Sequence, residues 1–476
     1  MSTRSDPWRA GLEVALLAVI VLALQLMPEP QALVAAMRQA ESYRAAQAYG
    51  AAAEAYRMAA GLDAGSPRPW QRLGEVFLQQ HRFAQAGEAF DLARQNHGGA
   101  AALLGLGEAR AGDGDWFAAI GAWLQAVALA PEDPRLQVAL GRGMIAQGQM
   151  ETAEQYVRHA LELAPPPDVA AQAHALLGRL LAGDVTASKR GQATGHLSQA
   201  GDADMLAVLQ AVDAEPEPDR QALLLGIAFL QRDELVLARR QLERAVALAP
   251  AGRSAEAHAY LGHILDRLGE TVMARQALEE ALALDPSLVL PYYFLGLHER
   301  QIGDTRKAQA TLWQGLLLDP QNAALRLQMA ETMLDLRDYE GAAEWYQGAV
   351  DVAPQDQQVE FYLALIHFHL DHLYRVSEKG LPAAEAAAAL APDDARVQDL
   401  LGWAYHLDDR HGEAEQALLR ALEIDPELVS AHFHLGSLYA RLGRHDLARR
   451  HLQRAADLDI GGYYRERAEA VLKDLK

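Results

Sequence analysis

The sequence predicts an all-α chain: one transmembrane helix followed by an α-solenoid of about twelve helical hairpins. Two observations predict the solenoid. Leu-Gly pairs recur along the chain, at Leu73-Gly74, Leu106-Gly107, Leu140-Gly141, Leu177-Gly178, Leu225-Gly226, Leu261-Gly262, Leu295-Gly296, Leu401-Gly402 and Leu435-Gly436. Met329-Ala330 and Leu363-Ala364 are variants, Gln39-Ala40 is a weaker first member, and the spacing is mostly 33, 34 or 36 residues. The composition also favours helices, being rich in alanine and leucine, with 7% aromatic residues. A third observation, an apolar run near the start, predicts the membrane helix.

That run is Val14–Leu24, within Trp8–Met27, preceded by Arg4 and Arg9 and followed by Pro28. About 20 apolar residues span a bilayer, and Trp8–Met27 supplies that length with Glu13 near the interface. A cleaved signal peptide would need a small-x-small site, and Gln25-Leu26-Met27-Pro28 does not provide one. Residues 1–30 are therefore expected to be a cytoplasmic tip and an uncleaved signal anchor. The basic flank at Arg4 and Arg9, with no further basic residue before Arg38, puts the amino terminus in the cytoplasm and the array outside it. The expected location is a bacterial inner (cytoplasmic) membrane, crossed once.

Within each repeat the small residue starts a fixed series. From Gly107 it runs to Ala119, Trp123, Ala126 and Pro131, and from Gly262 to Ala274, Leu278, Ala281 and Pro286. Ala330 is followed by Ala342, Tyr346, Ala349 and Pro354, and Gly402 by Ala414, Leu418, Ala421 and Pro426. Small residues let two helix backbones approach, and the large ones fill the space beside them. Proline ends the second helix and opens the next unit. One hairpin cannot bury its own apolar faces, so it stacks on its neighbours.

On these residues the sequence resembles the tetratricopeptide repeat family over about residues 31–462. The resemblance implies a right-handed superhelix whose concave inner face is lined by each unit's first helix. Two breaks in register divide the array. The first, between Gly178 and Gly226, makes 31–200 a first block, 201–218 a linker or irregular helix, and 219–462 a second block. The second lies between Ala364 and Gly402, where the turn before Leu381 is longer by four residues. In residues 463–476 the apolar stripe Ala468, Val471, Leu472 and Leu475, with Arg465, Arg467, Glu469 and Asp474 off it, predicts a capping helix of the kind an open array requires.

Several function classes are disfavoured. The chain has 43 basic and 64 acidic residues, a net charge of −21, and only five lysines, which argues against a nucleic-acid partner. The acidity reads first as solubility. With no cysteine there is no disulfide, thiolate metal site or cysteine nucleophile. Asp113-Gly114-Asp115 and Gly141-Arg142-Gly143 are fragments of ion- and phosphate-binding loops without the rest of either motif. His367, His369, Asp371 and His372 form the one metal-like cluster, at helical spacing. No third convergent ligand is visible, so neither metal nor cofactor is expected.

The family geometry implies a partner surface on the first helices of the second block: Tyr260, Tyr293, Phe294, Leu297, Phe361, Leu365, Phe368, Trp403 and Phe433. An apolar, aromatic strip suits a peptide or helix of a protein partner, although aromatic residues at helical spacing also form core. The Lys and Asn set of chaperone-binding relatives and the asparagine ladder of relatives fused to sugar transferases are missing. The expected function is a non-catalytic, membrane-anchored scaffold, an assembly factor or accessory subunit of a bacterial envelope complex. The alternatives are a secreted soluble peptide-binding protein or a metal-dependent hydrolase using His367–His372.

Overall fold

The computed structural model describes residues 31–183, 187–250, 253–459 and 462–475. The apolar run expected to form the anchor lies outside them. Among the described residues no helix is long and apolar enough to cross a membrane.

Twenty-six helices and no strands are found among the described residues. Five hairpins come first: α1 (Gln31–Ala45) with α2 (Tyr49–Leu62), α3 (Pro67–Gln79) with α4 (Phe83–Gln95), α5 (Gly99–Gly112) with α6 (Trp116–Leu129), α7 (Pro134–Ala146) with α8 (Met150–Glu162), and α9 (Pro167–Ala182) with α10 (Ala187–Ala200). A single helix, α11 (Ala203–Ala214), follows. Seven more hairpins pair α12 (Pro218–Gln231) with α13 (Leu235–Leu248), α14 (Ala255–Arg267) with α15 (Thr271–Leu284), and α16 (Val289–Gln301) with α17 (Thr305–Leu318). They continue with α18 (Ala323–Asp335) and α19 (Tyr339–Val352), α20 (Gln358–Asp371) and α21 (Leu381–Leu390), α22 (Ala395–Leu407) and α23 (His411–Ile424), and α24 (Val429–Arg441) and α25 (His445–Leu458). The last helix is α26 (Tyr463–Asp474).

The repeat pattern accounts for these hairpins atom by atom. A Cβ on Gly296 would stand 2.5 Å from Leu312, and one on Gly402 2.6 Å from Leu418. On Gly107 it would run into the Trp123 ring. Seven residues after the small position the chain turns with positive φ. Glycine serves at Gly114, Gly269, Gly303 and Gly443, but Gln47, His81, Asp233, Arg337 and Asp409 take the same conformation. Asp115, Asn322 and Asp338 cap second or first helices through side-chain oxygens, at 2.9, 3.0 and 2.9 Å from Ala118, Leu325 and Gly341 N–H.

The prolines at 286, 320 and 426 stand between hairpins, and each proline carbonyl is bonded by a first-helix side chain six residues on. Tyr292 Oη donates at 3.1 Å, Arg326 Nη2 at 2.8 Å and His432 Nε2 lies at 3.0 Å. Arginines join neighbouring repeats, as in Arg396–Glu360 (2.8 Å), Arg441–Asp409 (2.6 Å) and Arg239–Glu270 (2.6 Å). These pairs set register more than stability, because exposed ion pairs are worth about 0–1 kcal/mol.

Most successive first helices touch one another, whereas successive second helices among the described residues stay further apart. The array therefore curves with its first helices inside. At the first register break the single helix α11 stands between two hairpins. Met205, Leu209 and Val212 of α11 are buried in the same apolar core as α9, α12 and α13. Across the break Gln241 and Arg244 of α13 donate to the Gly183 carbonyl at 3.3 and 3.0 Å, and Arg179 pairs with Glu234 at 3.1 Å. At the second break a π-turn, Val376–Gly380, precedes α21, after Arg375 with φ 48°.

Two features differ from the sequence expectation. Arg465, placed off the apolar stripe of the capping helix, is buried. Its Nε donates to the Ala456 carbonyl at 3.0 Å, and its guanidinium also reaches the Asp459 carbonyl, because α25 ends there with carbonyls to satisfy. The array is also not open at its ends. Helix α25 packs against α2, so the last hairpin meets the first.

Candidate functional site

The inner face of the second block carries two aromatic groups. In the first, Phe294 of α16 is buried, with Tyr260 (5.6 Å), Tyr293 (5.4 Å) and a stacked His263 (4.5 Å) around it, as ring-centroid distances. Tyr260, Tyr293 and Leu297 are half-buried. Beneath them lies His298, 1% exposed, whose Nδ1 is 2.6 Å from Asp266 of α14. Burial pushes the Asp266 carboxyl up and holds His263 down, at about 4.

In the second group Trp403 of α22 lies between two imidazoles, stacked on His434 at 4.4 Å and on His406 at 4.9 Å. His434 in turn lies 2.8 Å from the buried Asp399. Phe433 of α24 is half-buried and packs on Tyr464 of the capping helix at 5.4 Å. The Arg467 guanidinium covers the Tyr463 ring at 3.5 Å. Together Leu370, Asp371, Leu400, Trp403, Phe433, Tyr463 and Tyr464 line a cavity of about 340 Å³ at the carboxyl-terminal end of the inner face. Burial, with Asp399 and Asp371 nearby, raises the Tyr464 hydroxyl far above its usual range, so it is a neutral donor at physiological pH.

The nine residues expected to bind a partner thus fall into two sets. Phe294, Leu365 and Phe368 are 8%, 2% and 3% exposed and form floor and core. Phe368 stacks on Tyr346 at 5.0 Å. Tyr260, Tyr293, Leu297, Phe361, Trp403 and Phe433 are half-buried, each with part of its surface open. Tyr463 and Tyr464 are outside the sequence-predicted set, because the apolar stripe marks that helix only as a cap. Their side-by-side position ahead of the stripe was the available signal.

The histidine cluster does not converge. His367 Nδ1 faces Asp371 at 3.6 Å on the exposed side, whereas His369 is buried with Nδ1 2.7 Å from the Tyr374 carbonyl. His372 packs against the Tyr339 and Phe368 rings. Among the described residues no three acidic or histidine side chains are grouped to hold a metal ion.

A second cleft, of about 350 Å³, lies on the second-helix side between α17 and α19. Trp313, 49% exposed, meets Trp345 edge-on at 6.2 Å over Met329 and Met333. Trp313 and Trp345 stand outside the series that recurs from repeat to repeat, so the sequence does not single the cleft out.

These helices and their inner face define a tetratricopeptide-repeat scaffold. Family models described as tetratricopeptide repeat match residues 72–134, 255–288, 300–364, 395–428 and 429–459, so the chain carries these repeats. Proteins built of them are generally non-catalytic scaffolds suited to protein–protein interaction. Similar solved structures include yeast Tom70 (15% identity, 93% of this chain and 95% of that one, TM-score 0.43). Another is the APC/C hetero-tetramer Cut9–Hcn1 (17% identity, 87% and 95%, TM-score 0.39). A third is YrrB, described as a TPR protein with an unusual peptide-binding site (18% identity, 41% and 98%, TM-score 0.31). No curated protein sequence matches the chain.

Proposed function

We propose that the chain is a membrane-anchored, non-catalytic scaffold that binds a protein partner along the inner face of its carboxyl-terminal half. It would serve as an assembly factor or accessory subunit of a bacterial envelope complex. The observation that carries this reading is the cavity of about 340 Å³ lined by Trp403, Phe433, Tyr463 and Tyr464 together with leucines. Aromatic side chains dominate interface energetics when a partner desolvates them. Trp403 is held by its stack between His406 and His434, so little side-chain entropy is lost on binding.

The test is recovery of partners from detergent-solubilised membranes with the tagged chain, read by mass spectrometry. One or a few proteins should co-purify with the native chain and be lost with Phe361→Ala/Trp403→Ala. The outer-face control Phe117→Ala, at a residue 84% exposed, should retain them. A partner lost with Phe117→Ala and kept by the inner-face variant would overturn the reading.

The anchor rests on the apolar run and its flanking charges. Amino-terminal sequencing of the native protein should read from the first residues, and protease added to spheroplasts should remove the repeats. A mature start beyond Met27 would instead make this a secreted soluble binding protein, and full protection of the repeats would reverse the orientation.

A further inference from the structure

The first and last hairpins, about 400 residues apart in sequence, meet through helix ends. Helix α2 begins after Ala48, which has no side-chain acceptor for the free N–H groups of the first turn. Asp457 of α25 supplies one: its Oδ1 accepts from Gly50 N–H at 2.7 Å. Arg454, one turn earlier on α25, donates to the carbonyls of Ala46 and Gln47 at 3.4 and 3.2 Å, just past the end of α1. In return Gln80, at the end of α3 and 2% exposed, donates to the Asp457 carbonyl at 3.0 Å, near the end of α25.

Each side therefore caps helix ends of the other, and the bonds are all polar. Among the described residues no apolar core spans this junction. The core of the first hairpins ends at Ala109 in the chain, that of the last runs from Ala414 to Ala468, and the two share no residue. When such bonds break, water replaces them, so the net contribution of each is only a fraction of its strength. The solenoid's internal hairpin contacts bury apolar surface instead, and those persist when the ends part.

We propose that this junction is a latch that opens without unfolding of either hairpin, and that opening admits a protein partner to the inner face. The gating half rests on the binding reading above; the latch itself does not. The absence of cysteine from the sequence allows a clean test. Glu54→Cys on α2 and Arg450→Cys on α25, both at exposed positions, place one label on each side of the junction in the full chain.

Electron–electron distance measurement on spin labels at these sites should give a short and a long population. Adding Asp457→Ala and Arg454→Ala should move at least nine-tenths of the molecules to the long distance, with circular dichroism unchanged. A single short distance in both proteins, or loss of helicity with the long one, overturns the latch. Joining the two thiols with a short bis-maleimide should then lower partner recovery from membranes at least tenfold relative to the unjoined protein. Equal recovery overturns the gate and leaves the binding reading standing. Recovery by neither form overturns the binding reading, and the distance measurement still decides the latch.

Discussion

Trp123→Ala is expected to destabilise the array by about 3–5 kcal/mol, the range for emptying a large buried aromatic site. Trp123 is fully buried between α5, α6 and α7, and its Nε1 donates to the Leu104 carbonyl at 3.2 Å. Its ring fills the space that Gly107 leaves open, so no neighbour can collapse into the hole without moving a helix backbone. In a solenoid each hairpin contacts only its neighbours, so the damage should be local. Hydrogen exchange should lose protection across 99–146, while the last hairpins, around Leu452, keep theirs. Uniform loss along the chain, or none, would contradict nearest-neighbour packing.

Acidification should also weaken the fold. Burial holds His263, His406 and His451 down to about 4, against an ordinary value of 6.5. His406 is 6% exposed, and its Nδ1 has no hydrogen-bond partner. Between pH 6.5 and 4 the unfolded chain binds protons that the folded chain refuses. Stability is thus complete above about pH 6.5 and is lost as the pH falls through that window. For His406 the gap is worth on the order of 3 kcal/mol. His263 and His451 are only half-buried and contribute less. Glu234 and Asp266, whose carboxyls burial pushes up, act in the opposite sense as they protonate and offset part of the loss. Thermal unfolding followed at pH 7.5 and 4.5 should show a lower midpoint in acid, and His406→Gln should reduce the difference. An equal midpoint at both values would mean these imidazoles take up protons inside the fold.

The hairpins were legible in the sequence because their physics is local. Each needs a small residue, a large one at fixed distance, and a proline after the second helix, so Gly296 with Leu312 or Gly402 with Leu418 announces a helix pair. The inner face was legible in part, for the same reason that its residues recur on first helices. Periodicity could not separate Phe294, Leu365 and Phe368, which are buried, from Tyr293, Phe361 and Trp403, which are half open. That distinction depends on curvature and on the neighbouring repeat. The His434–Asp399 and His298–Asp266 pairs, and Asp457 reaching Gly50, join residues from different repeats and leave no local signature. Arg465 was misplaced because its apolar stem and its carbonyl partners, not its charge, decide where it lies.

The most direct measurement is a calorimetric titration of the native chain, and of Phe361→Ala/Trp403→Ala, with the purified partner recovered from membranes. Loss of two aromatic anchors worth 2 kcal/mol or more corresponds to a dissociation constant weaker by at least about 30-fold. The predicted result is that weakening, with far-ultraviolet circular dichroism unchanged. An unchanged dissociation constant in the folded double variant would contradict inner-face binding.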